Sequence, residues 1–206
     1  MRCAINSPTV ETGQGRKLVL VQIVAMLCAG LLVLGALRPA RAQGPADEYK
    51  VKAAFIFHFA QLVDWPADGL NAGDQSLNIC VFEDESRLLD LQSTLEGKMV
   101  GSRALHVRLL NQLQDARGCN ILFISRDDVR RQAAILRTLR GQPVLTVGET
   151  AGFLSDGGMI RLYLEKDKIR FDINASSADS SHLKISSRLL LLATTVTLGS
   201  EKDQRR

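Results

Sequence analysis

Residues 120–125, Asn-Ile-Leu-Phe-Ile-Ser, place four consecutive apolar side chains in a strand-length run with no alternation between an oily and a polar face. A strand of that kind is covered on both sides, so the chain must build a sheet with helices packed against each face. The flanking segments fit that demand. Residues 77–82, 105–110 and 144–147 read as further strands. Residues 127–139 read as an amphipathic helix with Val129, Ala133, Leu136 and Leu139 inward, ended by Gly141 and Pro143. Upstream, residues 45–65 carry Tyr49, Ala53, Ile56, Phe57, Ala60 and Val63 at helical spacing. Asp47 and Glu48 lie in that first turn, and Pro66 stops the helix. A shorter helix is predicted over 86–95, with Gly97 and Gly101 flanking a turn before strand 105–110.

After Gly157-Gly158, residues 159–165 and 168–173 read as an antiparallel hairpin with its turn at Lys166-Asp167. Residues 183–198 read as a strongly apolar final helix. The expected fold is a three-layer α/β sandwich, with a mostly parallel mixed sheet and an antiparallel hairpin. No internal repeat is evident.

The first 42 residues lie outside that pattern. Arg16 and Lys17 lead into an apolar run over 18–37 interrupted by Gln22, and Ala40-Arg41-Ala42 gives a small-x-small cleavage pattern before Gln43. We read 1–42 as a signal peptide and 43–206 as a single domain. An uncleaved anchor is the alternative, since roughly 20 apolar residues span a bilayer. Composition is therefore judged on 43–206. Arg2, Arg16, Lys17, Arg38 and Arg41 take five of the 26 cations, and Glu11 one of the 22 acids, so the remainder carries 21 of each and no net charge. The basic balance of the full chain belongs largely to its leader, which gives no reason to expect nucleic acid or an anionic membrane as partner.

Cys3 and Cys28 leave with the leader, whereas Cys80 and Cys119 stay. An even pair in an oxidising compartment invites a disulfide, with two buried free thiols as the alternative. Paired spacing for zinc is absent. The sequence also lacks a G-x-S-x-G elbow, an H-E-x-x-H helix and a glycine-rich phosphate loop. Glu83, Asp84 and Glu85 follow strand 77–82 and would repel phosphate. As the metal corner of a receiver domain they lack a partner, because strand 120–125 ends in Ser125 where an acceptor aspartate is wanted. His58, expected in a buried helix, His106 in a strand and His182 in a loop share no ligand spacing. No catalytic, cofactor-binding or metal-binding residue is assigned, and the protein is not expected to be an enzyme.

Asp172 and Asn174 alternate with Phe171 and Ile173, which sends two polar side chains to one face of the strand. Lys184 and Arg188 sit one turn apart at the start of the expected last helix. They form either a plain solvated face or a recognition surface for an acidic group or partner protein.

Six segments in order carry a resemblance. They are Ala53-Ala54-Phe55-Ile56-Phe57-His58-Phe59 with Val63-Asp64-Trp65-Pro66; Leu95-Glu96-Gly97-Lys98; Ile121-Leu122-Phe123-Ile124-Ser125; Pro143-Val144-Leu145-Thr146-Val147; Gly157-Gly158-Met159-Ile160; and Arg170-Phe171-Asp172-Ile173-Asn174 followed by Leu183-Lys184-Ile185-Ser186-Ser187-Arg188-Leu189-Leu190. Together they resemble the YfiR family of bacterial periplasmic proteins, over about residues 49–196.

The resemblance implies a repressor that binds the periplasmic sensor domain of an inner-membrane diguanylate cyclase, lowering cyclic-di-GMP and biofilm formation. It further implies an outer-membrane lipoprotein able to sequester the repressor, and it allows a homodimer. Redox sensing through disulfides is linked to the family, and Cys80 and Cys119 match one of its pairs. The second pair has no counterpart, since 146–154 contains no cysteine, and His58 stands where asparagine is common. From the motif match and an expected exposure beside apolar residues, Ile160, Asp172, Ala178 and Lys184 are predicted to contact the partner. A periplasmic small-ligand binding or sensor module without a cyclase partner is the competing reading.

Overall fold

The computed structural model describes residues 45–66, 76–82 and 84–198. The chain divides after Ala42 into two units, and the first of them, with the expected signal peptide, lies outside the described residues. In the second, chain order runs α1 (Pro45–Leu62), β1 (Val63–Asp64), β2 (Ser76–Phe82), α2 (Glu85–Leu95), β3 (Met99–Val100), β4 (Arg103–Leu110), a 3₁₀ turn (Leu113–Gly118) and β5 (Ile121–Ile124). It continues with α3 (Val129–Leu139), β6 (Leu145–Gly148), β7 (Ile160–Glu165), β8 (Lys168–Asn174), α4 (Ala175–Asp179), β9 (Lys184–Ile185), α5 (Ser187–Leu192) and β10 (Thr195–Thr197).

Eight strands form one mixed sheet in the order β10-β8-β7-β6-β5-β2-β4-β3, and β1 pairs with β9 in a separate antiparallel ribbon. Pairings from β7 through β6, β5 and β2 to β4 are parallel, as is β10 with β8. The β7–β8 hairpin and the β3–β4 pair are antiparallel. Its turn falls at Lys166 and Asp167, both in the left-handed region with φ of 49° and 59°, as a tight hairpin turn requires.

The alternation of strand side chains builds two cores. From β2, Leu77, Ile79 and Val81 point into the first, beside α1, α2 and α5, whereas Cys80 and Phe82 point into the second, beneath α3 and the 3₁₀ turn. Helices thus lie on both faces, which is the three-layer α/β arrangement the strand 120–125 demands. Burying each large apolar side chain of these cores contributes about 1.5–3 kcal/mol.

Three expectations are corrected. Residues 183–198 are not one helix but β9, the short α5 and β10. Ser186 caps α5 by accepting from the Leu189 N–H, and Ala193 turns extended. The β-branched Thr195, Val196 and Thr197 then favour a strand paired with β8. Secondly, α3 buries Gln132, Ile135, Leu136 and Leu139, while Val129 and Ala133 face solvent. Buried Gln132 takes a place no apolar pattern could mark, exchanging hydrogen bonds with Thr150 and Asp156. Thirdly, His58 is exposed, because α1 turns Ala53, Ile56, Phe59 and Ala60 inward instead.

Candidate functional site

The four predicted contact residues separate into two environments. Ile160 and Ala178 are fully buried. Ile160 sits at the start of β7 opposite Ile173 of β8, and the Ala178 carbonyl accepts from the Leu183 N–H. Asp172 is also buried, against expectation. It pairs with Arg161 across the hairpin at 3.4 Å and accepts a long hydrogen bond from the Tyr163 hydroxyl, while the Arg161 guanidinium stacks on the Tyr163 ring. Ile160 and Ala178 do not present themselves directly, because they pack into the first core, and Asp172 is covered by Arg161 and Tyr163. Asn174 turns inward too, capping α4 through the Ser177 N–H. Lys184 alone of the four is exposed; it lies in β9 opposite Asp64, not in a helix with Arg188.

Directly after Lys184, the chain exposes an apolar edge. Leu191 and Leu192 of α5 are 85% and 68% exposed and Leu198 beyond β10 is 70% exposed, while Leu189 anchors α5 in the first core. Among the described residues β10 has no second neighbour in the sheet. An uncovered strand edge flanked by exposed leucines is a surface suited to a protein partner.

A second constellation gathers where the parallel strands end. The chain passes from β2 to β4 and then back across β2 to β5, so the strand order reverses between β2 and β5. Open α/β sheets hold ligands at the carboxyl ends flanking such a reversal. Here the first helix fills the place. Tyr49 meets the Phe123 ring edge-on, and the Arg87 guanidinium stacks on Tyr49 at 3.8 Å. Lys52, with its side chain 1% exposed, is paired with Glu48 one turn earlier and with Glu149 just past β6, whose side chain is 2% exposed. The Tyr49 hydroxyl and the Arg126 N–H donate to Glu149, each at 3.0 Å, and Arg126 Nη2 donates to Glu48 at 2.8 Å.

Burial, reinforced by the nearby Glu149 charge, raises the Tyr49 phenol well above its ordinary value, so the hydroxyl stays protonated as a donor. Burial acts to raise Glu48, but the hydrogen bond and charge of Lys52, with the charge of Arg126, hold it below the usual carboxylate range. The ammonium is thus neutralised on two sides and braces α1 to the sheet rather than offering a nucleophile. Helical spacing placed Tyr49 inward, but nothing in the sequence marked Lys52. A lysine one turn after Glu48 reads as a surface i,i+4 pair until Glu149, 97 residues later, meets it.

Cys80 and Cys119 form a disulfide with Cα atoms 5.9 Å apart, both residues buried in the second core. The segment lacking a second cysteine pair is pinned differently. The Phe153 ring lies between Gly148 and Gly158, where a Cβ on either would come within 2.2 Å of it. Asp84 caps α2 by accepting from the Arg87 N–H, Glu85 opens that helix, and Glu83 lies outside the described residues. Among the described residues no three His, Cys, Asp or Glu side chains gather as a metal site, and no helix is long and apolar enough to cross a membrane.

One solved structure with a similar backbone is the ABC domain in complex with L-Trp from Streptococcus pneumonia, at 7% identity and a TM-score of 0.46, covering 63% of this chain and 57% of that one. The family described as YfiR/HmsC-like matches residues 49–194, spanning α1 through α5. That family comprises periplasmic, non-catalytic regulators of diguanylate cyclases, and this chain, matched over well more than half its length, belongs to it.

Proposed function

We propose that this protein is exported, loses residues 1–42 as a signal peptide, and represses an inner-membrane diguanylate cyclase by binding its periplasmic sensor domain. Cyclic-di-GMP and biofilm formation fall as a result. The observation that carries this reading is the apolar edge of α5 and β10, with Leu191, Leu192 and Leu198 exposed in a member of a regulatory family. Lys184, exposed on β9 before that edge, is the charged contact. Ile160, Asp172 and Ala178 act from beneath, by holding β7, β8 and α4 in place. Repression then needs only tighter binding to the inactive cyclase, about 1.4 kcal/mol for each tenfold shift in its equilibrium.

An outer-membrane lipoprotein competing for the same edge, and a homodimer formed across it, are further partners in this reading. The Cys80–Cys119 bond, buried on both sides, serves as a brace before it serves as a redox sensor. Tyr49 and Lys52 filling the carboxyl-end crevice supports a protein partner over a small-ligand module.

The test is intracellular cyclic-di-GMP in a strain lacking the gene, complemented with wild type, with Leu191→Asp/Leu192→Asp and with Lys184→Glu. Deletion is expected to raise cyclic-di-GMP and the wild type to restore it, while the variants fold normally but do not restore it. Unchanged cyclic-di-GMP on deletion refutes the repressor reading. Full restoration by both variants refutes the surface.

A further inference from the structure

The zero net charge of residues 43–206 conceals a local excess of cations on α3, in contrast with α2 on the opposite face of the sheet. On the first-core side, α2 carries Glu85 and Asp90 with Glu96 at its end, against Arg87. On the opposite side, α3 and its C-terminal cap carry Arg130, Arg131, Arg137 and Arg140, all exposed, while the acid at the helix start, the N-cap Asp128, is buried. The adjacent 3₁₀ turn adds exposed Arg117, and Arg108 of β4 lies beside that turn, its Nη2 3.9 Å from where a Cβ on Gly118 would stand. The acids on this side are Asp115 and Asp127, both exposed, Asp128, buried beside Ser125, and Asp156, which accepts from Gln132 at 2.7 Å.

Arg130, Arg137 and Arg140 follow one another along the outer face of α3 over roughly 15 Å. The ion pairs among the described residues include none of the three. Arg137 Nε donates only to the Ala133 carbonyl, and Arg131 lies over the Phe82 ring at 5.5 Å. Ala133 and Ala134, small and exposed, lie between Arg130 and Arg137 on this helix.

We propose that this arginine face docks on an anionic phospholipid surface. Planar guanidinium forks match phosphate oxygens. The face lacks the aromatic anchors that centre a protein interface, with Val129 its single large exposed apolar side chain on α3. Attraction of this kind acts within a Debye length and adds up over the basic residues near the bilayer. The apolar edge of α5 and β10 is a separate surface, so the proposal does not rest on the cyclase reading. Averaged composition missed it, because acids elsewhere in residues 43–206 balance what α3 concentrates.

The experiment is co-sedimentation of the exported protein with phosphatidylcholine vesicles, with and without phosphatidylglycerol, at low and high salt. The comparison protein is Arg130→Gln/Arg137→Gln/Arg140→Gln, with circular dichroism confirming its fold. Wild type is expected to sediment with phosphatidylglycerol vesicles alone and to be released by salt. Each arginine removed should weaken binding about fivefold, and the triple variant about a hundredfold. Equal sedimentation of wild type and triple variant, or none at all, overturns the proposal. In the latter case, loss of cyclase-domain capture by the triple variant assigns the face to an acidic protein instead.

Discussion

Replacing Lys52 with methionine tests whether the ion cluster at the carboxyl ends of the strands braces the fold. The substitution keeps most of the unbranched side chain, one atom shorter, and removes its charge. Breaking a buried pair typically costs about 3–5 kcal/mol, because the remaining ion stays desolvated. Glu149 keeps the Tyr49 hydroxyl and the Arg126 N–H at 3.0 Å, with Arg126 Nε at 3.7 Å, and Glu48 is 20% exposed and can rehydrate. The low end applies, about 3 kcal/mol. With a urea slope of about 2 kcal/mol/M, the unfolding midpoint falls by about 1.5 M at unchanged slope. Lys52→Met/Glu149→Gln removes both charges and should recover about 1–2 kcal/mol relative to the sum of the single variants. A loss below about 1 kcal/mol, the range of exposed pairs, would refute the bracing role. So would strict additivity in the double variant.

Removing the disulfide as Cys80→Ala/Cys119→Ala opens a loop of 39 residues and should cost about 4 kcal/mol in urea unfolding. Because both residues are buried, thiol reductant without denaturant should leave the bond intact, and quick reduction of the native protein would contradict that. Gly158→Ala drives a methyl into the Phe153 ring and should destabilise by about 1–3 kcal/mol, with partial rescue by Phe153→Leu; a neutral Gly158→Ala would mean the ring moves aside freely. In acid, Glu48, Asp84 and Glu96 are held below their ordinary values. Burial opposes this for Glu48 and Asp84, and the Val107 N–H leads it for Glu96. Since each folded value is depressed, the stability they contribute is present above their unfolded values near pH 4 and is lost as pH falls through the folded ones. The urea midpoint should drop below about pH 4, and Glu48→Gln should flatten that drop.

Sequence alone determined the layer arrangement. The uninterrupted apolar side chains of β5 can exist only with helices on both faces, and the Lys166-Asp167 turn between two alternating runs can close only an antiparallel hairpin. Such features follow from local periodicity, which is written in neighbouring residues. Contacts between distant residues are not. Residues 183–198 are apolar enough for a helix, yet β10 forms because β8 offers an edge and Thr195 and Thr197 suit it. Asp172 looks like a solvent-facing residue until Arg161 on the paired strand covers it. Lys52 belongs on a surface by type, and only Glu149, delivered by β6, makes its burial tolerable. The arginine face is visible in the letters of α3 but acquires meaning only when the tertiary structure sets the acids of α2 on the opposite layer, because charge acts through space and not along the chain.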